Sequence, residues 1–142
     1  MSYDIRIEEH LPMSPDQVWR ALTDSAIIAE WLMPNDFQPK IGHKFQFRSK
    51  PMPGWRGFVD CKVIEVVRPK VLAYTWLGDD DWTEPTIVRF TLTPEGDGTH
   101  LLFEHTGFQD PWGAKVSEML GQGWPGMIRK RLHAAIQAVH TK

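Results

Sequence analysis

His105 closes an apolar row, Thr99, Leu101, Phe103 and His105, whose alternation with His100, Leu102, Glu104 and Thr106 predicts a strand and turns the imidazole inward. There it could hydrogen-bond a ligand hydroxyl or carbonyl, or exchange a proton near neutral pH. No carboxylate stands at a spacing that orients it, and Glu104 faces the other way. A histidine satisfied by the backbone or by Tyr74 is therefore the plainer expectation, with His105 the one candidate for acid–base catalysis. Cys61 is also expected to point inward, where apolar surroundings raise a thiol's pKa and leave it a core residue rather than a nucleophile. The six histidines, His10, His43, His100, His105, His133 and His140, contain no i, i+4 pair and no His-x-His, and His133 and His140 lie two helical turns apart. No metal site is expected from such spacing. No cofactor is expected either, since Gly96-Asp97-Gly98 reads as a hairpin turn and there is no glycine-rich phosphate cradle.

Aromatic rings are the other chemical resource: seven Trp and seven Phe against two Tyr. Rings and thioethers bury flat apolar ligands without directional demands. The residues expected to bind a ligand are Trp31, Phe45, Phe47, Trp55, Tyr74, Trp76, Phe90, Phe103, His105, Trp124, Met127 and Ile128, with Tyr74 and His105 as polar anchors. Val59, Cys61 and Leu132 should face the same space, and Met33, Phe37 and Met52 should stand near its mouth. The same residues could instead meet and fill that space. The acidic run Asp79–Asp81 beside Trp82 reads as a solvated loop, with a lid over the pocket or a contact for a basic partner as the functional alternatives.

These side chains need a frame, and the sequence supplies one. Tyr3 to His10 alternates as a strand. Ser14-Pro15-Asp16-Gln17 carries a capping box with proline at the first helical position, and Met13 and Val18 have staple spacing. Thr23-Asp24 caps a second short helix bearing Ile27, Ile28, Trp31 and Leu32 before Pro34. Strands are predicted around Phe45 and Phe47, over Arg56 to Val67, over Val71 to Leu77, around Val88, Phe90 and Leu92, and after the turn Pro94–Gly98. Short turns make an antiparallel meander the simplest topology. Asp110 and Pro111 should open a helical segment that Gly121, Gly123, Pro125 and Gly126 bend or interrupt. A stronger final helix then carries Trp124, Ile128, Leu132, Ala135, Ile136 and Val139 on its buried side.

Composition sets the outer limits. At 142 residues one domain, 1–142, accounts for the chain, and the net charge of -2 offers no field for a phosphate backbone. The two short helices resemble a helix-turn-helix, yet the second offers no side-chain array for base edges. A nucleic-acid partner is not expected. One cysteine rules out an intrachain disulfide. The charged N-terminus and the lack of a long apolar run point to no signal peptide, no membrane span and a cytoplasmic location.

The succession Pro15-Asp16-Gln17-Val18-Trp19-Arg20-Ala21-Leu22-Thr23-Asp24, Glu30-Trp31-Leu32, Gly42 with Phe45 and Phe47, Gly57 with Val59, Leu72 with Tyr74-Thr75-Trp76, Gly98-Thr99, His105 with Gly107-Phe108, and Gly123-Trp124 resembles a known superfamily. It holds the birch-pollen allergen, steroidogenic lipid-transfer domains and bacterial polyketide cyclases. The resemblance is strongest to the branch named for the activator of the heat-shock chaperone ATPase, and it spans nearly the whole chain. It implies an α+β helix-grip fold, a curved antiparallel β-sheet wrapped around a long C-terminal α-helix, with two short helices after the first strand. It also implies a cavity between sheet and helix. On this reading the first expectation is a non-enzymatic protein that binds a small hydrophobic molecule, a lipid, sterol, or polycyclic or aromatic compound. The alternatives are a cyclase or hydrolase acting through His105, and a chaperone-activator-like module with a protein partner. A homodimer is the base-rate expectation.

Overall fold

The computed structural model describes residues 3–140 apart from Met52, Gly54, Asp81, Thr83, Asp110 and Pro111; the side chains of Val139 and His140 also lie outside the described residues. Strand β1, Ile5–Leu11, leads into helix α1, Pro15–Thr23. The Ser14 hydroxyl accepts from the Gln17 N–H at 3.2 Å and the Gln17 side-chain oxygen accepts from the Ser14 N–H at 2.9 Å, which closes the expected capping box. Asp24 Oδ1 then takes the N–H groups of Ala26 and Ile27 and starts helix α2, Ser25–Trp31. The Trp31 indole N–H donates to Ala21 O at 2.9 Å, locking the two short helices together.

The meander follows as β2, Lys44–Arg48; β3, Phe58–Val67; β4, Val71–Trp76; β5, Thr86–Glu95; and β6, Gly98–Thr106. With β1 pairing along the far side of β6, the six antiparallel strands lie in the order β1-β6-β5-β4-β3-β2. Strands β1 and β4 lie within two residues of the sequence reading, and two other boundaries differ for a visible reason. Strand β3 begins at Phe58 because Gly57, at φ 93°, turns the backbone out of the extended region. The hairpin between β5 and β6 is tighter than Pro94–Gly98: Pro94 and Glu95 stay paired with Thr99 and Gly98, which leaves Gly96 and Asp97 as the whole turn. Strand β2 would be an open edge, but Asn35 bridges Phe47, Arg48 N–H reaches Pro34 O at 2.9 Å, and Asp36 Oδ1 takes the Gln46 N–H at 2.8 Å. That cover blunts a template for strand addition. The donated hydrogen bond from Gln46, with Arg48 nearby, also lowers the Asp36 pKa.

The C-terminal helix is not interrupted at its glycines. It runs as α3, Gly113–Gly126, then a π segment, Met127–Arg131, then α4, Leu132–His140. Pro125 contributes no N–H, and just beyond it the Leu132 N–H donates to Met127 O, five residues back. The widened turn has a packing consequence. An α-helix overshoots a full turn by ~40° every four residues, and a π turn takes that drift back. Trp124, Ile128, Leu132 and Ile136 thereby stay in line and buried, with Ala135 beside them and the last turns packed on α1 and α2. The expected helix start at Asp110 and Pro111, and the side chain of Val139, lie outside the described residues.

Gly98 shows how closely the frame is packed. A Cβ there would collide with Leu11 O and the His10 ring, whereas one at Gly121 would meet open space. Gly98→Ala is expected to lower unfolding free energy by about 1–3 kcal/mol through forced backbone displacement. In the same urea titration, Gly121→Ala should raise it by roughly 0.5–1 kcal/mol, the usual gain on removing a helix glycine.

Candidate functional site

His105 reaches the interior as its alternation requires, held on β6 between Ile5 of β1 and Val88 of β5. It is fully buried. The Trp124 indole N–H donates to Nδ1 at 3.1 Å, which makes Nδ1 an acceptor and places the imidazole proton on Nε2. Nε2 stands 2.6 Å from Thr86 Oγ1, and that hydroxyl donates to Trp76 O at 2.8 Å. One directed chain results: Trp124 indole to His105 to Thr86 to the Trp76 carbonyl. Neither the backbone nor Tyr74 satisfies the ring, which corrects the partners expected from sequence. Burial pushes the His105 pKa down to about 3, so the ring is neutral at physiological pH and both nitrogens are engaged.

Around this chain the expected ligand-binding residues do converge, as mutual contacts. Phe45 packs edge-on to Tyr74 at 5.3 Å and lies 5.3 Å from Phe47; Phe47 lies 5.4 Å from Trp76, and Trp76 5.2 Å from Trp124. Trp124 meets Phe103 at 4.5 Å, Phe103 meets Phe90 at 5.3 Å, and Phe90 meets Trp31. Phe37 closes the β2 end against Phe45. Val59, Cys61, Ile128 and Leu132 complete the buried set, while Met33, Met127 and Trp55 are partly buried against it. Met52 lies outside the described residues. Rings thus occupy the space where the sequence suggests a cavity. Two open depressions lie outside the grip. One of about 390 Å³ lies over the outward side chains Lys44, Gln46, Arg48 and Lys62, and one of about 520 Å³ lies between Arg20 and Arg68.

Burial also raises the pKa of the Cys61 thiol and of the Tyr74 hydroxyl, so both are protonated and neither is a nucleophile. Among the described residues no cluster of His, Cys, Asp and Glu could hold a metal ion.

Beyond His105 the aromatic path continues into the loops, through Phe108 at 4.6 Å to Trp112. Trp82 stacks on Trp112 with centroids 4.6 Å apart and planes 5° from parallel. The Trp55 N–H donates to Gly78 O at 2.9 Å, and Arg56 pairs with Asp80 at 2.6 Å and donates to Leu77 O. Trp82 therefore folds inward over this end, while Asp79 is half-buried and Asp80 exposed; Asp81 lies outside the described residues. The Trp112 N–H is buried without an acceptor among the described residues. Thr86 and Trp112 were not among the residues singled out from sequence, and Phe108 stood out only in the family resemblance. The Gly107-Phe108 pair was the nearest signal.

A curved antiparallel sheet gripping a long C-terminal helix, with two short helices after the first strand, defines the helix-grip class of α+β domains. The chain belongs to the Activator of Hsp90 ATPase homolog 1-like protein family, whose sequence profile matches residues 12–137. A Mesorhizobium loti protein solved by crystallography is similar at 35% identity and a TM-score of 0.85, over 95% of this chain and 97% of that one. A Bacillus halodurans protein solved in solution is similar at 31% identity and 0.75, over 94% and 96%. The Aha1 dimer from Colwellia psychrerythraea, at 20% identity and a TM-score of 0.73 over 88% and 90%, shares the fold. None of the curated proteins matches the chain in sequence. No helix among the described residues is long and apolar enough to cross a membrane.

The neutral, buried imidazole has a thermodynamic signature. Its folded pKa, about 3, lies below the ordinary 6.5. Between these values the unfolded chain holds a proton that the folded chain refuses, so stability falls as pH falls from 6.5 toward 3. The His105 contribution is about 1.4 kcal/mol per pH unit. Denaturant titrations between pH 7 and 4.5 should show this slope in the wild type and lose it in His105→Gln. Parallel curves for the two proteins would refute the assignment.

Proposed function

We propose that the protein binds a small hydrophobic molecule, a lipid, sterol, or polycyclic or aromatic compound, at the grip between sheet and C-terminal helix. The observation that carries this is the Trp112 N–H, a hydrogen-bond donor buried without an acceptor among the described residues at the loop end of a continuous aromatic path. A buried donor left unsatisfied costs about 1–3 kcal/mol, and a ligand acceptor would recover it. The buried Tyr74 hydroxyl offers a second polar anchor deeper inside. His105 is a weaker anchor than either, because a ligand would first have to break its bond to Trp124 or Thr86.

Because the interior is occupied, binding on this reading proceeds by displacing rings. The weakest-held rings are those at the loop end, where Trp55 and Trp82 are only partly buried. Binding rather than turnover is favoured by the same geometry. A general acid–base group needs a proton affinity near the working pH, and His105 holds its neutral form down to about pH 3.

Native mass spectrometry of the protein as purified from cells, followed by tryptophan-quenching titrations with a panel of fatty acids, sterols and polycyclic aromatics, tests the proposal. A one-to-one mass shift, or saturable quenching by one chemical class, is expected, and Trp112→Phe should weaken it about tenfold, a loss of ~1.4 kcal/mol. No mass shift and no saturable quenching across the panel would count decisively against it.

A further inference from the structure

We propose that the slot filled by the Trp82 indole is the seat of a planar aromatic ligand with a hydrogen-bond acceptor on its edge, and that Trp82 is its displaceable resident. This rests on the reading of the protein as a binder of small hydrophobic molecules, and names the class of molecule and the place.

The slot has fixed walls. Trp112 forms one, anchored at the start of α3 and against Phe108, its face covered by Trp82 in a parallel stack at 4.6 Å. The Gly78 backbone forms the other, held by the Trp55 N–H. A Cβ at Gly78 would lie 2.9 Å from Cζ2 and Cη2 of Trp82, so the missing side chain lets the benzenoid part of the indole sit against the backbone.

The resident is held less firmly than the walls. The Trp82 backbone N–H makes a long bond to Asp79 O, 3.4 Å, and the neighbouring tether is the Arg56–Asp80 pair, whose carboxylate is 81% exposed. A pair with one exposed partner contributes little, and a single aromatic stack adds only a modest hold. A ligand competing with a resident of that strength binds roughly tenfold more weakly than it would to the empty slot. Indole Nε1–H lies in the ring plane, so the unpartnered Trp112 donor sits at the edge of the stack rather than inside it. Trp82 covers the face of Trp112 and leaves that donor unused. A planar ring with an acceptor on its rim would do both.

The test uses 2-quinolinone, flat with a carbonyl at its edge, and indole, flat without an acceptor, titrated calorimetrically into the full chain. Trp82→Ala should bind 2-quinolinone about tenfold more tightly than wild type does, and more tightly than it binds indole. Adding Trp112→Phe should abolish the preference between probes. Trp82→Val serves as a second variant if Trp82→Ala fails to fold, since it keeps a small apolar side chain while vacating the place of the ring, and Gly78 stays open to the ligand. A folded variant that binds both probes no better than wild type overturns the slot. If the lipophilic panel still binds wild type in that case, the slot falls alone; if panel and probes bind neither protein, both proposals fall.

Discussion

The hydrogen-bond chain from Trp124 through His105 and Thr86 to the Trp76 carbonyl is the constraint on which the rest of the grip depends. It joins the C-terminal helix to three strands, β6, β5 and β4, in a place water does not reach. Each donor in it has one acceptor, so its direction fixes the imidazole tautomer, the Thr86 rotor and the rotation of the helix about its axis. A buried polar network of this kind helps only when every member is satisfied. The low proton affinity of His105 follows from its burial, because a charged imidazole would lose its hydration there, and a proton on Nδ1 would displace the hydrogen bond from Trp124.

Apolar packing is arranged around that chain. The π segment keeps Trp124, Ile128, Leu132 and Ile136 on one line, so that Trp124 can reach His105 while the later residues meet α1 and α2. Rings then run without a break from Phe37 to Trp82. Such a core stabilises the fold, and on the proposed function a ligand would have to compete with the protein's own side chains. The stacked indoles Trp82 and Trp112 lie at the loop end, with the exposed Asp80 paired to Arg56 nearby.

Much of this was legible in the chain before folding. Period-two alternation put Phe45, Val59, Cys61, Tyr74, Phe90, Phe103 and His105 on one face, and the Ser14–Gln17 box and Asp24 set both short helices. The partners of His105 were not legible, because Thr86 and Trp124 each lie 19 residues away, and only the β5–β6 register and the helix rotation bring them within bonding distance. Trp82 and Trp112 meet from loops, where no period marks which way a side chain points. Whether facing rings enclose a space or close it depends on strand curvature and summed side-chain volume, which a pattern of apolar positions does not encode. The glycine and proline cluster before the last helix warned of irregularity, and the irregularity is a widened turn rather than a break.

A long-range proton–nitrogen correlation spectrum of the histidine rings tests the central claim most directly. The account predicts that His105 is the Nε2–H tautomer at pH 7, with an unprotonated, hydrogen-bonded Nδ1, and that this pattern persists down to about pH 4 in the folded protein. An Nδ1–H tautomer, or an imidazolium that titrates near 6.5 while the protein stays folded, would contradict it.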